Sequence, residues 1–218
     1  MPAGRTISVD EVVLAIDSNW DTITKVAFNH RQAHVYPYLE SKGFSIERCQ
    51  GSLARRFYVA DEAKKSNVTF ITGVGHGLYN LYTGDHGVVN VIFQIGRYFP
   101  EEASNKIVHF LSCQTARDLG PDFVMNGCRA FLGYDENFTF FMAEADIFFE
   151  CDSEIDRAIA DGATVEQAHQ RAVQKFNKAI AEMLAKGKPY VAAVLEFDRD
   201  HLQSPATHSR WGDRNASL

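Results

Sequence analysis

Short apolar runs alternate with longer stretches in which apolar residues recur at threes and fours, and this pattern predicts strands separated by helices. Residues 11–16 (Glu-Val-Val-Leu-Ala-Ile) form a buried strand that closes on Asp17-Ser18-Asn19. Residues 20–28 fit either loop or helix. Ala33, Tyr36 and Leu39 ahead of Gly43 predict a helix over 32–42 with a glycine stop. Residues 44–49 alternate as a half-buried strand does, and 54–65 are helical. Residues 68–74 (Val-Thr-Phe-Ile-Thr-Gly-Val) are a clear strand that runs directly into Gly75-His76-Gly77. Turn signals at Thr83-Gly84-Asp85 and His86-Gly87 predict a hairpin within 78–91. A second clear strand, 107–112, runs directly into Cys113. A helix is expected over 116–126 and a strand over 130–134. The longest helical pattern occupies 144–184 with a break near Asp161-Gly162, and the apolar stripe of its second part is expected to pack on the sheet. Residues 190–195 read as a last core strand, and the tail from Asp198 is polar.

This order predicts an α/β fold: a mostly parallel central sheet with helices on both faces, in a single domain spanning 1–218. In such sheets, sites form in the loops beyond the carboxyl ends of the strands. His76 and Cys113 both stand at that point of their strands, so the two residues best suited to chemistry fall where the fold would use them.

Composition narrows the field further. A chain of 218 residues with 45% hydrophobic residues can bury its own core without disulfides or a structural metal. A net charge of −6 with no concentrated basic run argues against nucleic acid as a partner. No apolar stretch approaches the length of a membrane span, and the first residues lack the apolar region of a signal peptide, so a cytoplasmic location without membrane attachment is expected. The four cysteines, Cys49, Cys113, Cys128 and Cys151, then read as free thiols. None is spaced as Cys-x-x-Cys, so no zinc ribbon or dithiol motif is present, and no cofactor is called for.

A cysteine nucleophile needs thiolate character, a nearby base and donors for an oxyanion. His76 supplies a base on a rigid strand end, and its flanking glycines let the backbone turn sharply and approach a ligand. Cys113 ends a strand just before a predicted helix, where backbone N–H groups favour negative charge. Cys49, Cys128 and Cys151 lack such a partner and are assigned to packing. His109 shares a strand face with Cys113 but lies about 13 Å back along the strand, out of reach, and reads as an interior histidine. His86 reads as an exposed turn residue. His30 and His34 are four apart and would bind a metal only with a third ligand, so they are taken as a surface pair.

An apolar strand ending in His-Gly followed by one ending in Cys resembles the caspase-like superfamily of cysteine peptidases: caspases, gingipains, clostripain, separase and CHAT peptidases. The likeness is closest to bacterial gingipain-like and CHAT-type domains. Leu111-Ser112-Cys113-Gln114-Thr115-Ala116 resembles their nucleophile turn, and Gly127 to Tyr134 the strand that follows. Residues 211–216 resemble their Gly-Asp-Pro tail, with Arg214 where proline is usual. The resemblance covers 68–134 best. It implies a three-layer sandwich and a cysteine endopeptidase acting on a peptide or protein substrate. In it Cys113 forms the acyl-enzyme, His76 moves the proton, and the N–H groups of Gly77 and Cys113 form the oxyanion hole. The Gln-Ala-Cys-x-Gly form of true caspases is absent, so cleavage after aspartate is not implied.

Asp17 and Asp135 follow strand ends and are candidate substrate-binding carboxylates, which would favour Arg or Lys beside the scissile bond as in gingipain-like relatives. Where clostripain-type relatives carry an acid two residues before the cysteine, this chain has Leu111. Two rival readings stand beside the peptidase. One is a catalytically silent caspase-like domain that binds or regulates a protein partner or pairs as a homodimer. The other is a nucleotide-binding α/β fold, disfavoured because Gly73-Val74-Gly75-His76-Gly77 does not fit Gly-x-Gly-x-x-Gly and no Gly-Lys-Ser/Thr occurs.

Overall fold

The computed structural model describes residues 11–218, so the reading of the first residues as lacking a leader lies outside the described residues. Its centre is a six-stranded sheet in the order β2-β1-β3-β7-β8-β9. The strands are β1 (Val12–Asp17), β2 (Ser45–Gln50), β3 (Val68–Val74), β7 (Ile107–Leu111), β8 (Ala130–Tyr134) and β9 (Leu202–Gln203). The first five run parallel, and β9 alone is antiparallel, on β8. A separate three-stranded antiparallel sheet, β4 (Gly77–Leu78), β5 (Leu81–Gly84) and β6 (Gly87–Gln94), follows β3 and holds the expected hairpin.

The central strands are apolar on both faces because both faces are covered. Val13, Ala15, Phe70, Val74, Leu111 and Leu132 point into one core. That core is shared with α1 (Thr22–His30), α2 (Tyr36–Ser41) and α5 (Ala145–Ala160). Leu14, Ile16, Ile71, Val108, Phe110 and Phe131 point the other way, toward α3 (Arg56–Ala63), α4 (Leu119–Met125) and the hairpin. Tyr82 of the hairpin stacks on Phe110 at 3.9 Å between ring centroids, and its hydroxyl donates to Ile16 O at 2.7 Å. The hairpin is thereby fastened to the sheet. Among the described residues no helix is long and apolar enough to cross a membrane.

The region 20–28, open in the sequence, is helix α1. Asp21 is its N-cap, and Thr24 completes a capping box. The predicted helix over 32–42 divides into a π-helical turn, Arg31–Val35, and the short α2. The apolar run at 190–195 is not a strand. It lies in helix α7 (Pro189–His201), with Val191, Ala192, Leu195 and Asp198 buried at helical spacing and Pro189 in the first turn. A run of small apolar residues does not distinguish a buried strand from a helix, and the proline decides the matter here.

The helix α6 (Val165–Ala185) packs chiefly against α5 and α7, outside the layer that touches the sheet. The polar tail also folds back. Trp211 is 6% exposed and donates from Nε1 to Ala116 O at 2.7 Å, while Gly212 bridges to Ala130.

Candidate active site

The carboxyl ends of β3 and β7 are neighbours, with Val74 in register with Leu111, so the loops that leave them emerge side by side. Gly75 N–H still donates to Leu111 O at 3.4 Å, after which the chains separate. His76 and Cys113 both line the narrow pocket of about 50 Å³ that opens there. Its remaining walls are Ile23, Thr24 and Ala27 of α1, Phe138 and Phe140 of the loop after β8, and Phe149 of α5, with Leu111 and Val74 at the strand ends. Gly77 packs onto the Cys113 turn so closely that a Cβ would lie 2.4 Å from Cys113 O and 2.2 Å from Ser112 Oγ. Only glycine permits this approach, and it sets the Gly77 and Cys113 backbones against each other.

The turn after Cys113 is tightly bent. Gln114 adopts φ 59°, a left-handed conformation uncommon for a side chain of its length. It is held there by its N–H to Glu136 O at 3.0 Å and its amide to Asn137 Oδ1 at 3.1 Å. The loop after β8 is thereby tied to the cysteine turn, and the same loop delivers Phe138 and Phe140 to the pocket.

His76 is partnered by a residue the sequence did not single out. Asp21 Oδ2 lies 2.5 Å from His76 Nε2, while Asp21 Oδ1 accepts the Thr24 N–H at 2.9 Å. Partial burial opposes ionisation of Asp21, but the Thr24 N–H and the His76 ring outweigh it and hold its carboxyl below the usual range. With Nε2–H donated to Asp21, Nδ1 is the nitrogen left to accept a proton. Asp21-x-x-Thr24 ahead of an apolar stripe is a recognisable helix start. Nothing along the chain, however, marks its second oxygen as the partner of a histidine on another strand end.

Cys113 is the one cysteine that is not buried, yet burial of its sulfur pushes the thiol up from its ordinary range. Sγ faces Phe138 O at 4.0 Å. The resting group is therefore a neutral thiol at pH 7, and it needs a base at the moment of attack.

The two carboxylates expected to bind substrate are not in this pocket. Asp17 is 0% exposed. It accepts from Val74 N–H at 3.0 Å, from Gln50 Nε2 at 2.9 Å and from the Tyr36 hydroxyl, with Arg31 Nε at 3.4 Å. A strand-end aspartate with that many donors is a structural anchor, and its assignment as a substrate contact is corrected accordingly. Asp135 pairs instead with His201 Nδ1 at 2.8 Å at the end of α7.

The other histidines sort by their partners. His109 is fully buried, with Nδ1 3.2 Å from Asp156 Oδ1 and Nε2 3.3 Å from Asp152 Oδ1. Burial opposes its charge, but the two carboxylates prevail and raise it to about 9. Arg31 reaches the same cluster through Asp156 at 3.1 Å and Thr72 at 2.7 Å. His109, Asp152 and Asp156 are close enough to share a cation, but with an imidazolium and a guanidinium already facing the carboxylates they form an ion-pair network. His30, expected at the surface, is 5% exposed and lies 3.4 Å from Asp146 and 3.5 Å from Glu150. His86 stacks on Trp20 at 4.0 Å, and a Cβ on the adjoining Gly87 would come within 4.0 Å of the His76 ring, so this turn borders the site.

No family model matches this chain, and no curated protein matches it.

Proposed function

We propose that the protein is a thiol hydrolase of the cysteine endopeptidase type, with Cys113 as nucleophile, His76 as base and Asp21 orienting His76. The observation that carries this reading is the meeting of His76 and Cys113 in one pocket at adjacent strand ends, with a carboxylate on Nε2 of the imidazole. The caspase-like resemblance of the His-Gly and Ser-Cys strand ends points the same way. So does the parallel order β1-β3-β7-β8 with helices on both faces, which is compatible with that architecture.

In this mechanism Cys113 Sγ attacks a substrate carbonyl carbon while its proton passes to His76 Nδ1. The S–C bond forms, and the negative oxygen faces the N–H groups of Gly77 and Cys113. Collapse breaks the C–N bond, and the imidazolium returns its proton to the departing amine. Water then attacks the thioester, its proton passing through His76 to the thiol as the acid leaves. Asp21 holds the ring in the tautomer that leaves Nδ1 free and stabilises the imidazolium.

A second reading, a silent domain that binds a protein partner, is favoured by one observation: burial raises the Cys113 thiol, and Sγ is turned toward Phe138 O. Hydrolysis of a mixed peptide library, followed by mass spectrometry, separates the two. The peptidase reading expects cleavage products from the wild type that are lost in both Cys113→Ala and His76→Ala. Identical product profiles in all three proteins would contradict it.

A further inference from the structure

The pocket that holds His76 and Cys113 carries its own information about substrate. Apart from His76 itself, no ionisable side chain other than the Cys113 thiol lines it. The walls are mainly aliphatic or aromatic, with Ile23, Val74, Leu111, Phe138, Phe140 and Phe149, and their polar side chains besides His76 and Cys113 are the uncharged Thr24 and Ser112. Leu111, Ser112 and Cys113 at the end of one strand and Val74, Gly75 and His76 at the end of its neighbour all line the pocket. A carbonyl placed against Sγ therefore has its own residue's side chain within reach of these walls.

The acidic groups in the neighbourhood are already engaged. Asp21 is taken by His76 and Thr24, Asp85 by His86 at 2.8 Å, Asp135 by His201, and Asp17 by Arg31, Tyr36 and Gln50. Glu136, whose carbonyl holds the Gln114 N–H, does not line the pocket and has Arg117 Nη1 at 4.0 Å; the other carboxylate near Cys113 is Asp198. It is 1% exposed, stands behind the Phe138–Phe140 loop, and accepts the Thr139 N–H at 3.1 Å. A cation entering the pocket would surrender its water to largely apolar walls and find no carboxylate among the lining residues.

On the peptidase reading above, we infer that this site is selective for an apolar side chain on the residue whose carbonyl Cys113 attacks, with Leu111, Phe138 and Phe140 as the residues that set the preference. This replaces the preference for Arg or Lys that strand-end aspartates suggested. Asp198, raised by burial and absent from the pocket lining, presents no accessible carboxylate to a cation there. Selectivity then comes from burying apolar surface and from refusing an unpaired charge.

The test uses short peptidyl acyloxymethyl ketones that share one sequence and differ only in the final residue: Ala, Val, Leu, Phe, Arg, Lys or Asp. The sulfur displaces the carboxylate leaving group, forming an S–C bond, and intact mass with peptide mapping reads the rate and the site. The inference expects modification of Cys113, with the best apolar reagent at least about tenfold faster than the Arg, Lys and Asp reagents. Modification of Cys113 that is fastest with Arg, Lys or Asp overturns the inference and leaves the hydrolase reading standing. No modification of Cys113 by any reagent, in protein shown folded by near-UV circular dichroism, overturns both.

Discussion

Asp21 Oδ2 sits 2.5 Å from His76 Nε2, and the other oxygen of the same carboxylate caps helix α1 through the Thr24 N–H. One side chain thus fixes the start of a helix and the orientation of the imidazole. The two roles separate under substitution. Asn in place of Asp21 keeps a good cap but removes the charge that favours an imidazolium, whereas Ala removes both. Asp21→Asn is expected to leave the thermal midpoint nearly unchanged while lowering kcat by about 10²–10⁴-fold. Asp21→Ala adds a destabilisation of about 1 kcal/mol. Parallel kinetics and thermal melts of the two variants check this, and full activity in Asp21→Asn would remove Asp21 from the mechanism.

The four thiols are expected to differ sharply in reactivity. Burial pushes Cys49, Cys128 and Cys151 up to about 12, whereas Cys113 is the one that reaches the surface. Limited iodoacetamide at pH 8 should add one label, on Cys113, before any other. Because its resting form is a thiol, its labelling rate should still be climbing at that pH. Peptide mapping over a pH series reads both features, and even labelling of several cysteines would contradict them.

The buried network beneath the site predicts a pH dependence of stability. The folded value of His109, about 9, lies above its ordinary value near 6.5. Its contribution is therefore complete below about pH 6.5 and lost as pH rises through about 9. Asp198, raised to about 8 from an ordinary value of 3.8, acts in the same direction over its own interval, because ionising it in place becomes unfavourable. Urea unfolding should thus show stability falling by a few kcal/mol, in order of magnitude, between pH 6 and 9.5. His109→Gln should flatten the alkaline part of that slope.

Arg31 is fully buried and faces Asp17, Asp156, Thr72 and the Tyr36 hydroxyl. Truncation would leave acidic groups without their cation, so Arg31→Ala is expected to cost about 3–5 kcal/mol, or to prevent folding. Equilibrium denaturation measures the first outcome, and recovery of soluble protein the second.

The strands that carry the site were legible in the sequence because 68–74 and 107–112 are short, mostly apolar runs rich in β-branched and aromatic residues that stop at Gly-His-Gly and at Cys. Those stops are where a parallel sheet places its loops. The run at 190–195 misled because Val, Ala and Leu in sequence satisfy a strand as well as a helix, and Pro189 in the first turn with the burial spacing in α7 resolves them. Asp17 misled for a related reason. A carboxylate after a strand looks available, but Arg31 and Tyr36, brought in by the π-helical turn and α2, close over it. Asp21, at the start of α1, and Phe138 and Phe140, on the loop after β8, were invisible as site residues because they reach His76 or the pocket from other elements, by contacts with no signature along the chain.

The claim on which the rest depends is that Cys113 forms a covalent acyl intermediate with help from His76. Acid-quenched mixtures of protein with an activated peptide ester, read by intact mass, test it directly. The account predicts an added acyl mass mapped to Cys113 in the wild type, none there in Cys113→Ala, and slow accumulation in His76→Ala. Absence of acyl mass on Cys113 in folded wild-type protein, or equal accumulation with and without His76, would contradict it.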